Sequence, residues 1–314
     1  MHPLVEKLRG TLLPAVVTPM DSLGVVAYEA LESYASAIAG EPIGGVAVWA
    51  HTGRGLYLSE ADRGKVLATW RAATRAPLVA GVGVPRSTGA GSLQEAEDAT
   101  VAMAVSAAGL GADAVMVYPL AAYGSLPDGS AAAVRLHQRV AAESGLPLVG
   151  FYLHGEAGGY PYPPALIKEL LSLPEMLGVK TATLDRAIDC QDAVWAGRST
   201  GKLLITGEDR MYGPSMMWGA DTALVGIAAA QVELSAAVLR AWTSGDHTAF
   251  LTASERLDRF AAATFYAPIE GYVQRMLWAA VWEGLLPEAA AHDPYGPALA
   301  AAERDRVIRC LESL

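Results

Sequence analysis

The stretch MLGVKTAT (176–183) holds one lysine, Lys180, in an otherwise apolar and small run. An ammonium group is rarely buried unless it is paired or used. Two chemistries fit. Lys180 is either a structural lysine paired with a carboxylate such as Glu208 or Asp209, or an amine that desolvation activates to attack a carbonyl carbon and form a Schiff base. Such an imine withdraws electrons from the adjacent carbon and permits C–C cleavage, C–C formation or loss of water. It also requires a proton shuttle for collapse of the carbinolamine. Tyr152, ending the run PLVGFYL (147–153), is the candidate, since neighbouring strands lie about 4.8 Å apart. A third feature is the loop AHTGRG (50–55). Its small residues and successive N–H groups suit a carboxylate or other oxyanion, or form an ordinary glycine turn.

These residues need a scaffold, and the chain offers a regular one. Eight short apolar runs, at 12–19, 44–50, 77–83, 112–119, 147–153, 176–183, 203–209 and 222–228, alternate with longer helical patterns. Most runs are continuously apolar and rich in Val, Ile and Leu, as parallel strands covered on both faces are. Ser59, Ser92 and Asp185 stand where helix N-caps belong, and Gly111, Gly145, Gly219 and Gly245 where helices close. Eight β-then-α units predict a (β/α)8 TIM barrel over 1–230. Residues 231–314 read as the last barrel helix and a C-terminal helical extension of the same unit. Its helices fall at roughly 246–264, 269–284 and 298–312, with APIEG and HDPYGP as breaks. Catalytic groups in such barrels sit at the C-terminal ends of the strands. Of the five lysines, only Lys180 lies in a strand run.

Composition narrows the classes. With 52% hydrophobic and 18% charged residues the 314-residue chain can bury a large core. The net charge of −10 and the absence of a basic block point away from nucleic acid and from an anionic membrane as partners. No apolar run reaches the roughly 18 residues of a membrane span, and MHPLVEKLRG lacks the pattern of a signal peptide. The expectation is a cytoplasmic protein with two reduced thiols, Cys190 and Cys310. Gly81-Val82-Gly83 follows a strand as a dinucleotide loop would, but Arg86 stands at the third glycine position and the fingerprint fails. No cofactor and no metal is called for; a His51/His154 metal pair lacks a carboxylate at motif spacing.

The ordered pieces VVTPMDSLG, HTGRGLYLSEADR, PLVAGVG, GADAVMVYP, PLVGFYLHG, LGVKTAT, LITGED and WGAD resemble the dihydrodipicolinate synthase / N-acetylneuraminate lyase superfamily of class I aldolases, over nearly the whole chain. The resemblance implies a Schiff base between Lys180 and pyruvate or a related 2-keto acid. It implies a proton relay through Tyr152, positioned by Thr52, and capture of the keto-acid carboxylate by the His51 and Thr52 amides. Gly53 and Gly226, by their place at strand ends, are expected to line the substrate pocket. It also implies a homo-oligomer, tetramer or dimer. The departures lie around the second substrate. Where the family reads GTTGE, this chain reads Ala50-His51-Thr52-Gly53-Arg54. Tyr152-Leu153-His154-Gly155 replaces Tyr-Asn-x-Pro, no arginine follows in GEAGGYPYP, and Leu120-Ala121 stand where paired tyrosines are usual. Lysine biosynthesis and sialic-acid cleavage are therefore not the expected reactions. His51, Arg54, Tyr118, His154, Glu156 and Asp209 are the candidates facing the second substrate, with Arg54 open between substrate contact and structural cation. The expected activity is a lyase of the aldolase type. The alternatives are a deoxy-keto sugar acid dehydratase using the same lysine, and a barrel that binds a keto acid without turning it over.

Overall fold

The computed structural model describes residues 2–314. Strands β1 (Leu12–Pro14), β2 (Val46–Val48), β3 (Leu78–Val82), β4 (Ala114–Val117), β5 (Leu148–Leu153), β6 (Met176–Ala182), β7 (Leu203–Thr206) and β8 (Thr222–Val225) form one parallel sheet in the order β1-β8-β7-β6-β5-β4-β3-β2. A bridge between Ala15 and Ala47 joins the two ends and closes the barrel. This is the expected (β/α)8 architecture. The strands are shorter than the apolar runs: 12–19 yields only Leu12–Pro14, and 222–228 only Thr222–Val225. Beyond Pro14 the first run leaves the sheet as buried loop, and beyond Val225 the last becomes a buried 3-10 turn (Gly226–Ala229), so burial, which the runs report, outlasts strand pairing.

The outer layer comprises α1 (Pro3–Leu8), α2 (Tyr28–Ala39), α3 (Glu60–Ala73), α4 (Leu93–Gly109), α5 (Gly129–Ser144), α6 (Pro164–Ser172), α7 (Ala187–Gly197), α8 (Tyr212–Trp218) and α9 (Val232–Ser244), and the extension adds α10 (His247–Thr264), α11 (Tyr272–Trp282) and α12 (Ala301–Glu312). Ser59 and Ser92 cap α3 and α4 by accepting from the N–H groups of Asp62 and Glu95. Asp185 does not cap: α7 starts after Arg186 with no side-chain acceptor. Helix α1 went unread in the sequence; its Val5 and Leu8 pack into the barrel interior beside Leu13 and Leu177.

Two cores follow from strand alternation. Val149, Phe151 and Leu153 of β5 point inward with Met116 and Ile205, whereas Leu148 and Tyr152 point outward against the helices. On β6 the alternation breaks. Leu177 is inward and Val179 outward, yet Lys180 is again inward. The cause is a register shift: Leu148 pairs with Met176, but Val149 pairs with Gly178. The extra residue is a β-bulge, a device that re-aims side chains. Without it, simple alternation from Leu177 would turn Lys180 toward the helices.

Candidate active site

Lys180 is only 6% exposed, at the C-terminal end of β6. Its Nζ lies 4.3 Å from the centre of the Phe151 ring. Burial pushes its pKa down, while the nearby charges of Asp209 and Glu208 oppose the shift. The same burial pushes the Asp209 carboxyl up. Glu208, 1% exposed, does not bond the lysine; its carboxylate accepts from the Thr183 N–H at 2.8 Å and the Thr183 hydroxyl at 3.0 Å. Asp209 accepts from the Ile227 N–H at 2.7 Å and so ties the β7 loop to the β8 loop, rather than capping a helix. The lysine stem needs room: a Cβ on Gly207 would collide with Lys180 Cε and with the Thr181 carbonyl. The amine therefore sits desolvated against an aromatic face, with carboxylates near but none in a direct ion pair. That environment favours a nucleophilic amine over a locked structural cation.

Tyr152 is not brought to Lys180. It pairs in register with Thr181 and shares that residue's outward orientation. Its ring stacks on Tyr162 at 5.2 Å, and its hydroxyl donates to Asp189 of α7 at 3.3 Å. The residue beside the lysine is Phe151, which has no proton to move. Side chains alternate with period two, so adjacent positions on a strand serve opposite faces.

Thr52 does reach the cavity, with a different partner. Its hydroxyl lies 3.1 Å from that of Tyr272, the first residue of α11, and Tyr272 stacks on Phe265 at 4.6 Å. The same phenol lies 2.9 Å from His51 Nδ1, while His51 Nε2 meets Glu270 at 3.3 Å. Gly226 is required here, since a Cβ on it would come within 2.8 Å of the Thr52 hydroxyl oxygen. The Gly53 carbonyl accepts from Thr18, which holds the loop on the barrel rim. His154 lines the Lys180 cavity with a buried Nδ1 that has no partner, and burial, helped by the charge on His51, lowers its pKa to about 4.

Arg54 is clasped by two carboxylates. It donates to Asp293 through Nε and Nη2, at 3.0 and 2.6 Å, and to Glu270 through Nη1 at 2.8 Å and Nη2 at 3.2 Å. Burial opposes its charge, but these two carboxylates more than offset that and keep it protonated. Glu270, which burial would push up, is brought down to about 2 by His51 and Arg54. Both carboxylates come from the breaks APIEG and HDPYGP, which read as mere punctuation in the sequence. Tyr272 carries no local signal in the sequence either. The period-two parity of β5 sends Tyr152 outward and leaves the cavity hydroxyl to come from another element.

The cavity around Lys180 measures about 50 Å³, several times the roughly 10–15 Å³ that admits one water. Beside it opens a cleft of about 750 Å³. Tyr118, Glu156, Arg54 and Glu270 line the cleft, and His51 lines both spaces. Tyr118 stands over Phe151 edge to face at 5.4 Å, at the boundary between them.

Known proteins share this architecture. The structure superposes on a dihydrodipicolinate synthase from Bacillus clausii with a TM-score of 0.82 at 17% identity, covering 99% of each chain. A sialic acid aldolase from Ruminococcus gnavus gives a TM-score of 0.79 at 20% identity, over 98% of this chain and 96% of that one. In sequence, the chain is 31% identical over 180 residues to a 4-hydroxy-tetrahydrodipicolinate synthase of Prochlorococcus marinus. That match spans 57% of this chain and 56% of the relative, so just over half the length of the curated protein is represented. The model of the dihydrodipicolinate synthetase family matches residues 8–313, and with nearly every residue inside that match, the chain belongs to this family.

Proposed function

We propose that this protein is a Schiff-base-dependent lyase of the class I aldolase type acting on pyruvate or a related small 2-keto acid. The carrying observation is Lys180: a buried amine, directed into a small cavity at the C-terminal end of a TM barrel, with no carboxylate neutralising it directly. The names of the relatives, a 4-hydroxy-tetrahydrodipicolinate synthase and a sialic acid aldolase, support the class. The small inner cavity suits a three-carbon acid, and the larger cleft leaves space for an aldehyde partner. The keto acid enters with its carboxylate toward the amides of His51 and Thr52. Lys180 adds to the keto carbon, water leaves, and the cationic imine acidifies the adjacent carbon to give an enamine. That carbon then bonds to an aldehyde, or the reverse sequence cleaves one.

Borohydride reduction in the presence of pyruvate tests this. Mass spectrometry should find a covalent adduct on the peptide carrying Lys180. Absence of any adduct with pyruvate or other 2-keto acids overturns the imine, and an adduct with no aldehyde released or consumed across a panel reduces the protein to a keto-acid binder.

A further inference from the structure

We infer that a chain of three side chains, Tyr272, His51 and Glu270, moves the proton for the Lys180 imine, with Tyr272 as the catalytic acid and base and the other two as positioning residues. The inference rests on the Schiff-base reading above. Its geometry is continuous. The Tyr272 hydroxyl is 2.9 Å from His51 Nδ1, and His51 Nε2 is 3.3 Å from Glu270. The Thr52 hydroxyl, 3.1 Å from the phenol, fixes its direction. The chain also has the right endpoints: Tyr272 lines the lysine cavity, His51 lines both cavity and cleft, and Glu270 lines the cleft. A proton thus has a path from the enclosed reaction space to open solvent. The hydroxyl of Tyr152, which donates into the helical layer, has no such path.

The hydrogen-bond inventory gives the roles. A neutral His51 donates Nε2–H to the Glu270 carboxylate and leaves Nδ1 to accept from the phenol. A protonated His51 donates from both nitrogens. When the carbinolamine loses water, the C–O bond breaks and the departing oxygen takes the Tyr272 proton. The phenol oxygen simultaneously takes a proton from the His51 imidazolium. The products are the cationic imine, water, an intact phenol and a neutral imidazole. Burial raises the Tyr272 pKa well above its ordinary value, so a lone phenolate here is costly and concerted resupply from His51 avoids it. Enamine formation runs the chain in reverse: the proton of the carbon next to the imine passes to the phenol oxygen while the phenol proton passes to His51 Nδ1.

Exchange of the pyruvate methyl protons in D2O, followed by 1H NMR, reads this step directly. In Tyr272→Phe the maximal exchange rate should fall at least about 100-fold, with KM for pyruvate changed less than about threefold. The variant keeps the ring that stacks on Phe265, so the loss of its hydrogen bonds to Thr52 and His51 should lower the melting temperature by no more than a few degrees. His51→Gln, which removes the relay without touching the phenol, should lose at least about tenfold in the same rate. Equal changes in rate and KM, or exchange within threefold of the parent in both variants, overturn the relay while leaving the imine intact. Failure of the parent protein to trap pyruvate or any other 2-keto acid on Lys180 overturns both readings.

Discussion

Two walls face each other across the Lys180 cavity, and they are built on different principles. The strand wall, from β5, β6 and β7 with the loop that follows it, is largely apolar, and burial disfavours the charges of the Lys180 amine and of the Glu208 and Asp209 carboxyls that it holds. The opposite wall is the loop after β2 locked to the C-terminal extension, and it is a saturated polar network: Arg54 clasped by Asp293 and Glu270, His51 and Thr52 bonded to Tyr272. The first wall spends stability to present a reactive amine. The second gains stability from its contacts and supplies the groups that can pass protons. The site becomes complete only when the extension docks on the barrel.

Substitutions can break this contrast, and the largest effect belongs to the strand wall. Lys180→Met should reduce turnover by at least about 1,000-fold while leaving the melting temperature unchanged or raised, since it removes a buried amine that has no direct ion-pair partner. A melting temperature that drops by more than a few degrees would show that the lysine is structural. Arg54→Met should behave in the opposite sense. Asp293, whose side chain is 1% exposed, would be left charged and unpaired, a change that costs about 3–5 kcal/mol. Thermal unfolding should move down by roughly 5–10 °C, and any activity loss should track loosened docking of α11. An Arg54 variant as stable as the parent, but with a raised KM, would instead restore substrate contact as its role. The smallest effect is expected at Tyr152→Phe. Loss of one 3.3 Å hydrogen bond to a partly exposed Asp189 should cost no more than about 1 kcal/mol. Turnover should stay within threefold of the parent; a large drop in kcat would return the proton relay to β5.

The same contrast explains what could be read from sequence. The barrel and Lys180 were legible because continuous apolar runs with period-specific helices between them have few alternative folds, and one lysine in such a run is conspicuous. The tyrosine partner was misread at the level of parity. Phe151 and Tyr152 are adjacent in sequence but occupy opposite faces, and the strand run records that both are buried without recording on which side. Arg54 stays open on sequence alone because its partners, Glu270 and Asp293, lie 216 and 239 positions away. No local pattern carries that pairing. Thr52 lines the cavity, but its hydroxyl meets Tyr272 rather than Tyr152, for the equally non-local reason that α11 returns to the barrel rim.

The bulge on β6 has a consequence for how this chemistry can be gained or lost. Lys180 faces the cavity because one additional residue, at Leu177, resets the phase of the strand, and a one-residue slip moves every later side chain to the other face. The amine is thus vulnerable to a kind of change that point substitution cannot imitate. Pairing the strand straight through, with no residue set aside at Leu177, would place Lys180 opposite Tyr152, turned to the helical layer, and bring Val179 opposite Phe151. The phase of the strand, as much as the identity of the residue, delivers the amine to the cavity.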